Sequence, residues 1–421
     1  MLPVFSSDFL RNEMPPRRIL IIGGSTRAAA NSVRRAGWEP ICADLFADFD
    51  LQMTAETVSV RDYPESLPED VAAVRADGWM YCGALENHPQ ILARVPRCNP
   101  SLGPLLGTSP DALIRLRDPY WIMTTLKAAG VSCLEVAQYS SPPPADGGWL
   151  QKPLASSGGR LIRVWNQLAA MTPFSEPHYF QRLATGVELS ALFLFNEGKL
   201  REWLGATWGL GTTSSSNAPV PFAYCGSYGP VADLPVTVVN AVTATAEAIG
   251  QKSPGLNGLI GFDFILDEGC IWLVEINPRY TASVEVLELA SGRSFLNPEQ
   301  STPHDVSVEV ARSPVSAQEV SQETQQNALT PVLPCSAAKP RSIVAKQILY
   351  ASRSIRAPDL REYFRSNNPW VVPLVADIPQ VSTSIEAGWP ICTVMSSGPD
   401  FPSVQATLKS QLSLIQAKIA E

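Results

Sequence analysis

Acidic, amide and basic side chains follow one another within a short segment of this sequence. Asp263 lies in one apolar run, and Glu275 and Asn277 alternate with apolar residues in the next. The turn residues between the two runs predict a β-hairpin, in which Glu275 and Asn277 share a face that Asp263 can meet. Two carboxylates and an amide oxygen are the hard donors that suit Mg²⁺, with Mn²⁺ as an alternative ion.

Arg279 follows Asn277 by two residues and is expected to point the same way. Its guanidinium is permanently charged and forked, so it suits a phosphate group or a developing oxyanion. The alternative is an ordinary β-hairpin whose acids face solvent. That alternative does not explain why Glu275 interrupts an apolar strand.

A second candidate element is a lysine that ends an apolar strand and precedes a loop of small residues. Lys152 supplies a point charge, and the glycines let backbone N–H groups approach phosphates closely. The segment is not a Walker A loop, because G-x-x-x-x-G-K-[ST] is absent. A surface hairpin turn remains the alternative. The candidate loop residues are Ser156, Ser157, Gly158 and Gly159.

A third element leads through a glycine into the strand that carries Glu188. Backbone groups of Arg182, Leu183 and Ala184 could recognise an adenine edge. Glu188 could accept hydrogen bonds from ribose hydroxyls, as acids do in other nucleotide sites. A hairpin with one surface glutamate is an equally open reading of this segment.

The elements that would position these residues begin with a strand, a glycine turn, a helix over 25–37 and a strand over 38–44. This order is typical of a doubly wound α/β domain. The turn Gly23–Ala28 departs from G-x-G-x-x-G, so we expect the fold without a dinucleotide cofactor. A helix is expected after Asp118, with Pro119 in its first turn.

The rest of the chain is predicted to be rich in strands, with a terminal helix over 402–419. Residues 205–216 are small and read as a substrate-facing loop or a disordered surface loop. Residues 300–340 are rich in Ser, Gln, Pro and Thr and read as a linker. The expected strands are 149–153, 187–195, 259–266, 270–276, 342–350, 370–375 and 389–395.

Composition excludes several classes of protein. The 421 residues suffice for two to three domains, and 45% hydrophobic residues exclude a disordered or fibrous chain. A net charge of −8 makes nucleic acid and anionic membranes poor partners. Neither a membrane-spanning run nor the features of a signal peptide are seen, and the eight cysteines contain no C-x-x-C pair. We therefore expect a reduced, soluble, cytoplasmic protein.

In order and spacing, the three candidate elements resemble the ATP-grasp superfamily. Residues 274–279, Val-Glu-Ile-Asn-Pro-Arg, are similar to the metal-site motif of that family. The resemblance implies a mixed α/β and α+β fold with a Rossmann-like pre-ATP-grasp domain, central and lid domains that clasp MgATP, and a small β-rich C-terminal domain. The implied divisions are 1–108, 109–300 with a lid at about 134–185, a linker at 301–340, and 341–421 with the terminal helix.

By this resemblance, Lys152 and the loop would contact phosphates, and Gln181 with the backbone after it would lie along adenine. Glu188 would take the ribose, Asp263, Glu275 and Asn277 would bind Mg²⁺, and Arg279 would meet the transferred phosphate or acyl-phosphate. Many relatives carry a second ATP-binding lysine in an Asp-Lys context, where this chain reads Arg117-Asp118-Pro119. That contact is absent or comes from Arg115 or Arg117. Where the family usually has an acid just before the segment that contacts adenine, this chain has Gln181.

The function implied is an ATP-dependent carboxylate–amine ligase that forms an acyl-phosphate and releases ADP and phosphate. The resemblance is nearest to ligases of pterin- and furan-type one-carbon cofactor biosynthesis, such as tyramine–glutamate ligase. Two alternatives stay open: a bicarbonate-activating, carboxylase-like subunit, and an ATP-binding regulatory or assembly protein without turnover. The expected partners are a small-molecule carboxylate and amine, with a homodimer as an open option.

Overall fold

The computed structural model describes residues 17–211, 218–297 and 342–420. The expected linker at 301–340 lies outside these ranges, as do residues 212–216 of the expected loop. No helix among the described residues is long and apolar enough to cross a membrane.

The chain opens with a parallel sheet in the order β3-β2-β1-β4, with helices along it. In β1, Ile19 and Ile21 face one cluster of buried apolar side chains, and Leu20 and Ile22 face another. Helices thus cover both faces, as predicted for a doubly wound domain. The elements are β1 (Arg18–Gly23), α1 (Arg27–Arg35), β2 (Glu39–Asp44), α2 (Phe49–Gln52), β3 (Glu56–Val58), α3 (Leu67–Asp70), β4 (Gly78–Tyr81), the 3₁₀ turn η1 (Leu85–Asn87), α4 (Pro89–Cys98), α5 (Pro110–Leu116) and α6 (Pro119–Ala128).

A small antiparallel sheet follows, in the order β5-β8-β6-β7. Trp149, Trp165 and Phe180 form its buried centre. It falls in the part of the chain expected to act as a lid. Its elements are β5 (Val136–Gln138), β6 (Asp146–Pro153), β7 (Arg163–Asn166), α7 (Gln167–Met171) and β8 (His178–Arg182).

Among the described residues, the largest sheet has eight strands in the order β13-β12-β9-β10-β11-β14-β18-β16. The C-terminal strands therefore continue the sheet that carries the β12–β13 hairpin. Its elements are β9 (Val187–Asn196), β10 (Lys199–Gly209), β11 (Gly226–Gly229), α8 (Val236–Gln251), β12 (Gly258–Asp267), β13 (Cys270–Asn277), α9 (Ala282–Ser291), β14 (Ile343–Tyr350), β15 (Ile355–Arg356), η2 (Arg361–Tyr363), β16 (Val375–Ala376), β17 (Ser384–Ile385), β18 (Pro390–Gly398) and α10 (Phe401–Ala420). In β9, Phe193 and Phe195 face one apolar cluster, and Leu192 and Leu194 face another, which explains its nearly continuous apolar run.

Two expectations about this sheet are wrong. The strand expected over 370–375 is limited to Val375–Ala376, because a turn occupies 369–370 and Pro373 has no N–H group for a ladder. The loop expected from residue 205 begins later, because 205–209 complete β10 and Trp208 pairs with Leu189. Small residues are typical of loops, but those at 205–207 pair with β9 in the sheet.

A buried cluster of charges joins the first sheet to the C-terminal strands. Arg27 is 2% exposed, and its Nε lies 2.8 Å from Asp377 Oδ1. The same guanidinium pairs with Glu285 on α9, and Glu285 Oε2 lies 2.8 Å from Lys346 Nζ on β14. Burial of these charges is tolerated because each has an opposite partner.

Candidate functional site

The β12–β13 hairpin brings the predicted metal-binding side chains together. Asp263 pairs directly with Glu275 across the two strands, and Gly261 pairs with Asn277. The Asn277 amide Nδ2 donates to Asp263 Oδ2 at 2.7 Å, and the Ser190 hydroxyl donates to Asp263 Oδ1. The predicted shared face therefore exists, with two carboxylates and an amide side by side.

A β-bulge in this hairpin supplies a further contact. Asp263 pairs with Glu275, but Phe264 pairs with Leu273, so Val274 is an extra residue in β13. Its carbonyl oxygen accepts a hydrogen bond from Lys152 Nζ at 3.2 Å. The bulge thereby attaches the lysine of the small sheet to the acidic strand of the large sheet.

Lys152 and Gln181 lie on neighbouring strands of the small sheet and contact each other. Lys152 Nζ donates to Gln181 Oε1 at 3.0 Å, and the two side chains are 8% and 6% exposed. A buried ammonium with two neutral oxygen partners has donor capacity left for an anion. Both predicted residues thus lie in one place, diagonally opposite each other on the antiparallel strands β6 and β8.

Arg117 also reaches this place. Its Nη1 lies 2.8 Å from Glu275 Oε1, and its Nη2 donates to the Ser156 carbonyl at 3.3 Å. Arg115 points elsewhere and donates to the Pro254 carbonyl. Of the two arginines that the sequence left open, the structure brings Arg117 to the acids and the loop.

Arg279 is held by an acid that sequence reasoning missed. Its Nε lies 2.8 Å from Glu86 Oε1, and its Nη2 donates to Asn277 Oδ1 at 3.1 Å. Glu86 is 1% exposed and lies in η1, in the first part of the chain. A single acid in a short turn carries no motif, so no sequence signal identified it.

The small-residue loop is held from both sides. The Ser156 carbonyl accepts from Asn87 Nδ2 at 3.1 Å as well as from Arg117. Gly159 has a φ of +73°, and a Cβ atom there would overlap the carbonyl oxygen of Phe222. Glycine at 159 is therefore required both by the backbone conformation and by the close approach.

The electrostatics of the two carboxylates differ. Burial, reinforced by the charge of Glu275, raises the pKa of Asp263 to about 6. Burial also acts to raise the pKa of Glu275, but the charges of Arg117, Lys152 and Arg279 outweigh it and hold the value below normal. Adjacent carboxylates that repel each other are stabilised by a divalent cation, so this donor set fits Mg²⁺. No group of three or more His, Cys, Asp or Glu side chains is placed for a metal in the described ranges.

Two parts of the predicted nucleotide contacts are not as expected. The amides of Arg182 and Leu183 donate to the carbonyls of Glu135 and Gly148, so these two N–H groups are already used. Glu188 is exposed, is not among the residues lining the cleft described below, and packs against Gly209. Burial of part of its side chain raises the pKa of Glu188.

One cleft between the small and large sheets collects most of the remaining candidates. Its inner wall is apolar, with Ile122, Met123, Leu126 and Leu273 among its side chains, and suits a flat ring. Its polar end holds two cations, one acid and the loop. The candidates in the cleft are Arg117, Lys152, Ser156, Ser157, Gly159, Gln181 and Glu275.

Residues 117–283 match the family model of the ATP-grasp domain. This part of the chain is therefore an ATP-grasp domain. The match begins at Arg117 and ends just beyond Arg279, so it spans the cleft, the loop and the acidic hairpin. The prediction of an ATP-grasp fold is confirmed.

Known ATP-grasp structures share this fold over nearly the whole chain. An L-amino acid ligase from Bacillus licheniformis is 14% identical, with a TM-score of 0.63 over 94% of this chain and 96% of that one. Carboxyaminoimidazole ribonucleotide synthase from Aspergillus clavatus, solved with ATP, is 13% identical, with a TM-score of 0.64 over 96% and 99%. An uncharacterized protein of Methanocaldococcus jannaschii is 20% identical over 90% of this chain and 88% of its own length.

Proposed function

We propose that this ATP-grasp protein is a ligase that activates a carboxylate as an acyl-phosphate and couples it to an amine. The observation that carries the proposal is the meeting of Arg117, Lys152 and Glu275 at one end of an apolar cleft. A phosphate chain needs cations and a metal site, and a nucleobase needs an apolar slot. The cleft supplies the cations Arg117 and Lys152, the acid Glu275 and an apolar wall, which supports the proposal.

In this proposal, Lys152 and Arg117 bind the phosphates of ATP, and Asp263, Glu275 and Asn277 hold Mg²⁺, with Mn²⁺ as a substitute. An ion held by these residues would neutralise charge on the transferred phosphoryl group. Glu275 would exchange its Arg117 partner for the ion, and Arg117 would turn to a phosphate oxygen. Gln181 and the apolar wall would lie along adenine. The ribose contact of Glu188 stays a prediction.

The reaction is then a sequence of two substitutions. A carboxylate oxygen attacks the γ-phosphorus, and the bond from that phosphorus to the oxygen of ADP breaks. The nitrogen lone pair of the amine then attacks the acyl carbon, the bond from that carbon to the phosphate oxygen breaks, and the amine releases a proton. Arg279 would stabilise charge on the transferred phosphate, and positioning supplies much of the acceleration.

The small-residue loop has a second role in this scheme. An acyl-phosphate is hydrolysed by water, so the loop that carries Ser156 and Gly159 must cover it. Contacts of this loop with Asn87, Arg117 and Tyr224 hold it over the cleft. The same contacts must loosen when nucleotide enters and leaves.

The pathway is a narrower proposal. Biosynthesis of a pterin- or furan-type one-carbon cofactor rests on the sequence resemblance alone. A cytoplasmic location and a homodimer likewise stay predictions, as do the domain boundaries drawn from the sequence.

The direct test is release of ADP and phosphate from MgATP with pooled carboxylates and pooled amines. Release that requires both pools, and that is lost in Arg279→Ala, would support the ligase. Release with bicarbonate in place of the acids would favour the carboxylase-like reading. Tight MgATP binding without release under any of these conditions would favour a non-catalytic role.

A further inference from the structure

A second cavity of about 360 Å³ lies between the loop after β2 and the C-terminal strands. Phe46, Ile348, Ile385 and Ile391 supply much of its apolar lining. In the part of the chain that the structure describes, the charged residues that line it are all acids: Asp48, Asp377 and Glu386. Its volume is that of a small-molecule site.

Asp48 distinguishes this cavity from a cluster of acids that all have hydrogen-bond or ion-pair partners. Asp377 pairs with Arg27 at 2.8 Å and accepts from Thr393 at 2.6 Å. Asp50 accepts from the backbone amides of residues 377 and 378. Asp48 is 9% exposed and lines the cavity, and its carboxyl group has no hydrogen-bond or ion-pair partner among the residues the structure describes.

Burying a carboxyl group without a partner is unfavourable. A cation bound in the cavity would supply that partner. Burial, with the nearby charges of Asp377 and Asp50, raises the pKa of Asp48 to about 9. Among the described lining residues, an anionic ligand would meet three carboxyl groups and no basic side chain. The lining therefore selects for positive charge carried on an apolar frame.

The cavity adjoins the ATP-grasp site on two sides. Trp389, which lines it, lies under the guanidinium of Arg160 at 4.6 Å, and Arg160 directly follows the small-residue loop. The carbonyl of Ser25, also in the lining, accepts from Cys82 Sγ, and Cys82 pairs with Tyr280, the neighbour of Arg279. These contacts connect the cavity to the small-residue loop and to the segment that carries Arg279.

We propose that this cavity binds the amine substrate, as a primary ammonium group carried on an apolar or aromatic frame. The ammonium group would contact Asp48, and the frame would pack on Ile385, Ile391 and Trp389. That the ligand is a substrate rests on the proposed ligase function. That the cavity binds such amines rests on its own lining.

The test is calorimetry of the full chain with 2-phenylethylamine and hexylamine. We expect both to bind, and methylammonium, 2-phenylethanol and 3-phenylpropionate to bind at least tenfold more weakly, since each lacks the frame or the positive charge. Asp48→Asn should weaken binding of both amines at least tenfold. The matched control is Asp111→Asn, at an exposed acid in the first turn of α5, which should leave binding unchanged.

Failure of the cavity proposal can be told apart from failure of the ligase proposal. MgATP titration of Asp48→Asn checks the fold, because the nucleotide cleft does not include residue 48. Amine-dependent ADP release with an unchanged KM for the amine in Asp48→Asn would contradict amine binding in this cavity, while the ligase function would stand. If amine binding depends on Asp48 but no acid gives ADP release, amine binding in the cavity would stand and the ligase function would be contradicted. No binding of either amine, or equal binding of 2-phenylethanol, would overturn the cavity.

Discussion

Arg117 and Glu275 form an ion pair of 2.8 Å although 158 positions separate them in the sequence. Arg117 lies between α5 and α6, and Glu275 lies on β13 beside the bulge at Val274. The pair lies at the polar end of the cleft between the small and large sheets. The family resemblance predicts a lysine near this position in many relatives, where this chain has Arg117.

Arg117→Ala should weaken MgATP binding by about 1–3 kcal/mol, the scale of a charge-assisted contact. Arg115→Ala is the matched control, because that guanidinium donates to Pro254 and lies outside the cleft lining. Arg117→Lys should recover part of the affinity, since the charge returns without the fork. Calorimetry with MgATP measures all three variants. Equal losses for Arg115 and Arg117 would contradict the assignment.

Glu275→Gln should abolish ADP release while the fold is kept. The amide cannot provide the anionic oxygen that Mg²⁺ prefers, and Arg117 loses its charged partner. Asp267→Asn, at the exposed end of the same hairpin, should leave activity unchanged. Circular dichroism checks the fold, and ADP release across a magnesium series checks the site. Near-normal activity in Glu275→Gln would remove this residue from the metal site.

Lys152→Ala should weaken MgATP binding by about 1–3 kcal/mol, because the proposed phosphate contact of this buried ammonium is lost. The exposed Lys252, after α8, offers a control of the same residue type. Titration calorimetry of Lys152→Ala and Lys252→Ala gives the comparison. Unchanged affinity in the first variant would exclude Lys152 from the phosphate contacts.

Gly159→Ala should reduce turnover more than Gly158→Ala. Both glycines have positive φ, at +73° and +63°, so both variants carry the same kind of backbone strain. They differ in space, because a Cβ atom at 159 would overlap the Phe222 carbonyl and one at 158 meets nothing within 4 Å. Steady-state rates of ADP release compare the two. Equal rates would show that the loop does not need its contact with Phe222.

The stability of the chain should depend on the ionisation of Asp48. Burial raises the pKa of Asp48 to about 9 in the native state, against about 3.9 in the unfolded chain. The native state therefore holds a proton that the unfolded state releases between these values. This group lowers the free energy of unfolding as pH rises through that window, by at most about 1.4 kcal/mol per pH unit.

Asp48→Asn removes this dependence, so its melting temperature should exceed that of the native sequence at pH 8 and approach it at pH 4. Asp111→Asn, at an exposed site, is the control. Thermal unfolding followed by circular dichroism at both pH values measures the difference. A variant that is less stable at pH 8 than the native sequence would indicate that Asp48 is ionised and paired.

The sequence by itself determined the parts of this protein that depend on neighbours in the chain. The period-two pattern placed Asp263 and Asn277 on one face of a hairpin, where they share a hydrogen bond. Asp118 before Pro119 predicted the start of α6, and the Asp118 side chain accepts from the first amides of that helix. Such features follow from backbone geometry and local capping, which a few residues suffice to specify.

Only the tertiary structure decided which distant groups meet. It chose Arg117 over Arg115, brought Glu86 to Arg279, and placed Asp48 in a cavity closed by the C-terminal strands. It also joined β14 to β11, so that the last strands extend the large sheet. These contacts link elements far apart in the chain, and a local residue pattern carries no information about which partner will lie across a sheet or a cleft. Packing and charge pairing over the whole fold select them.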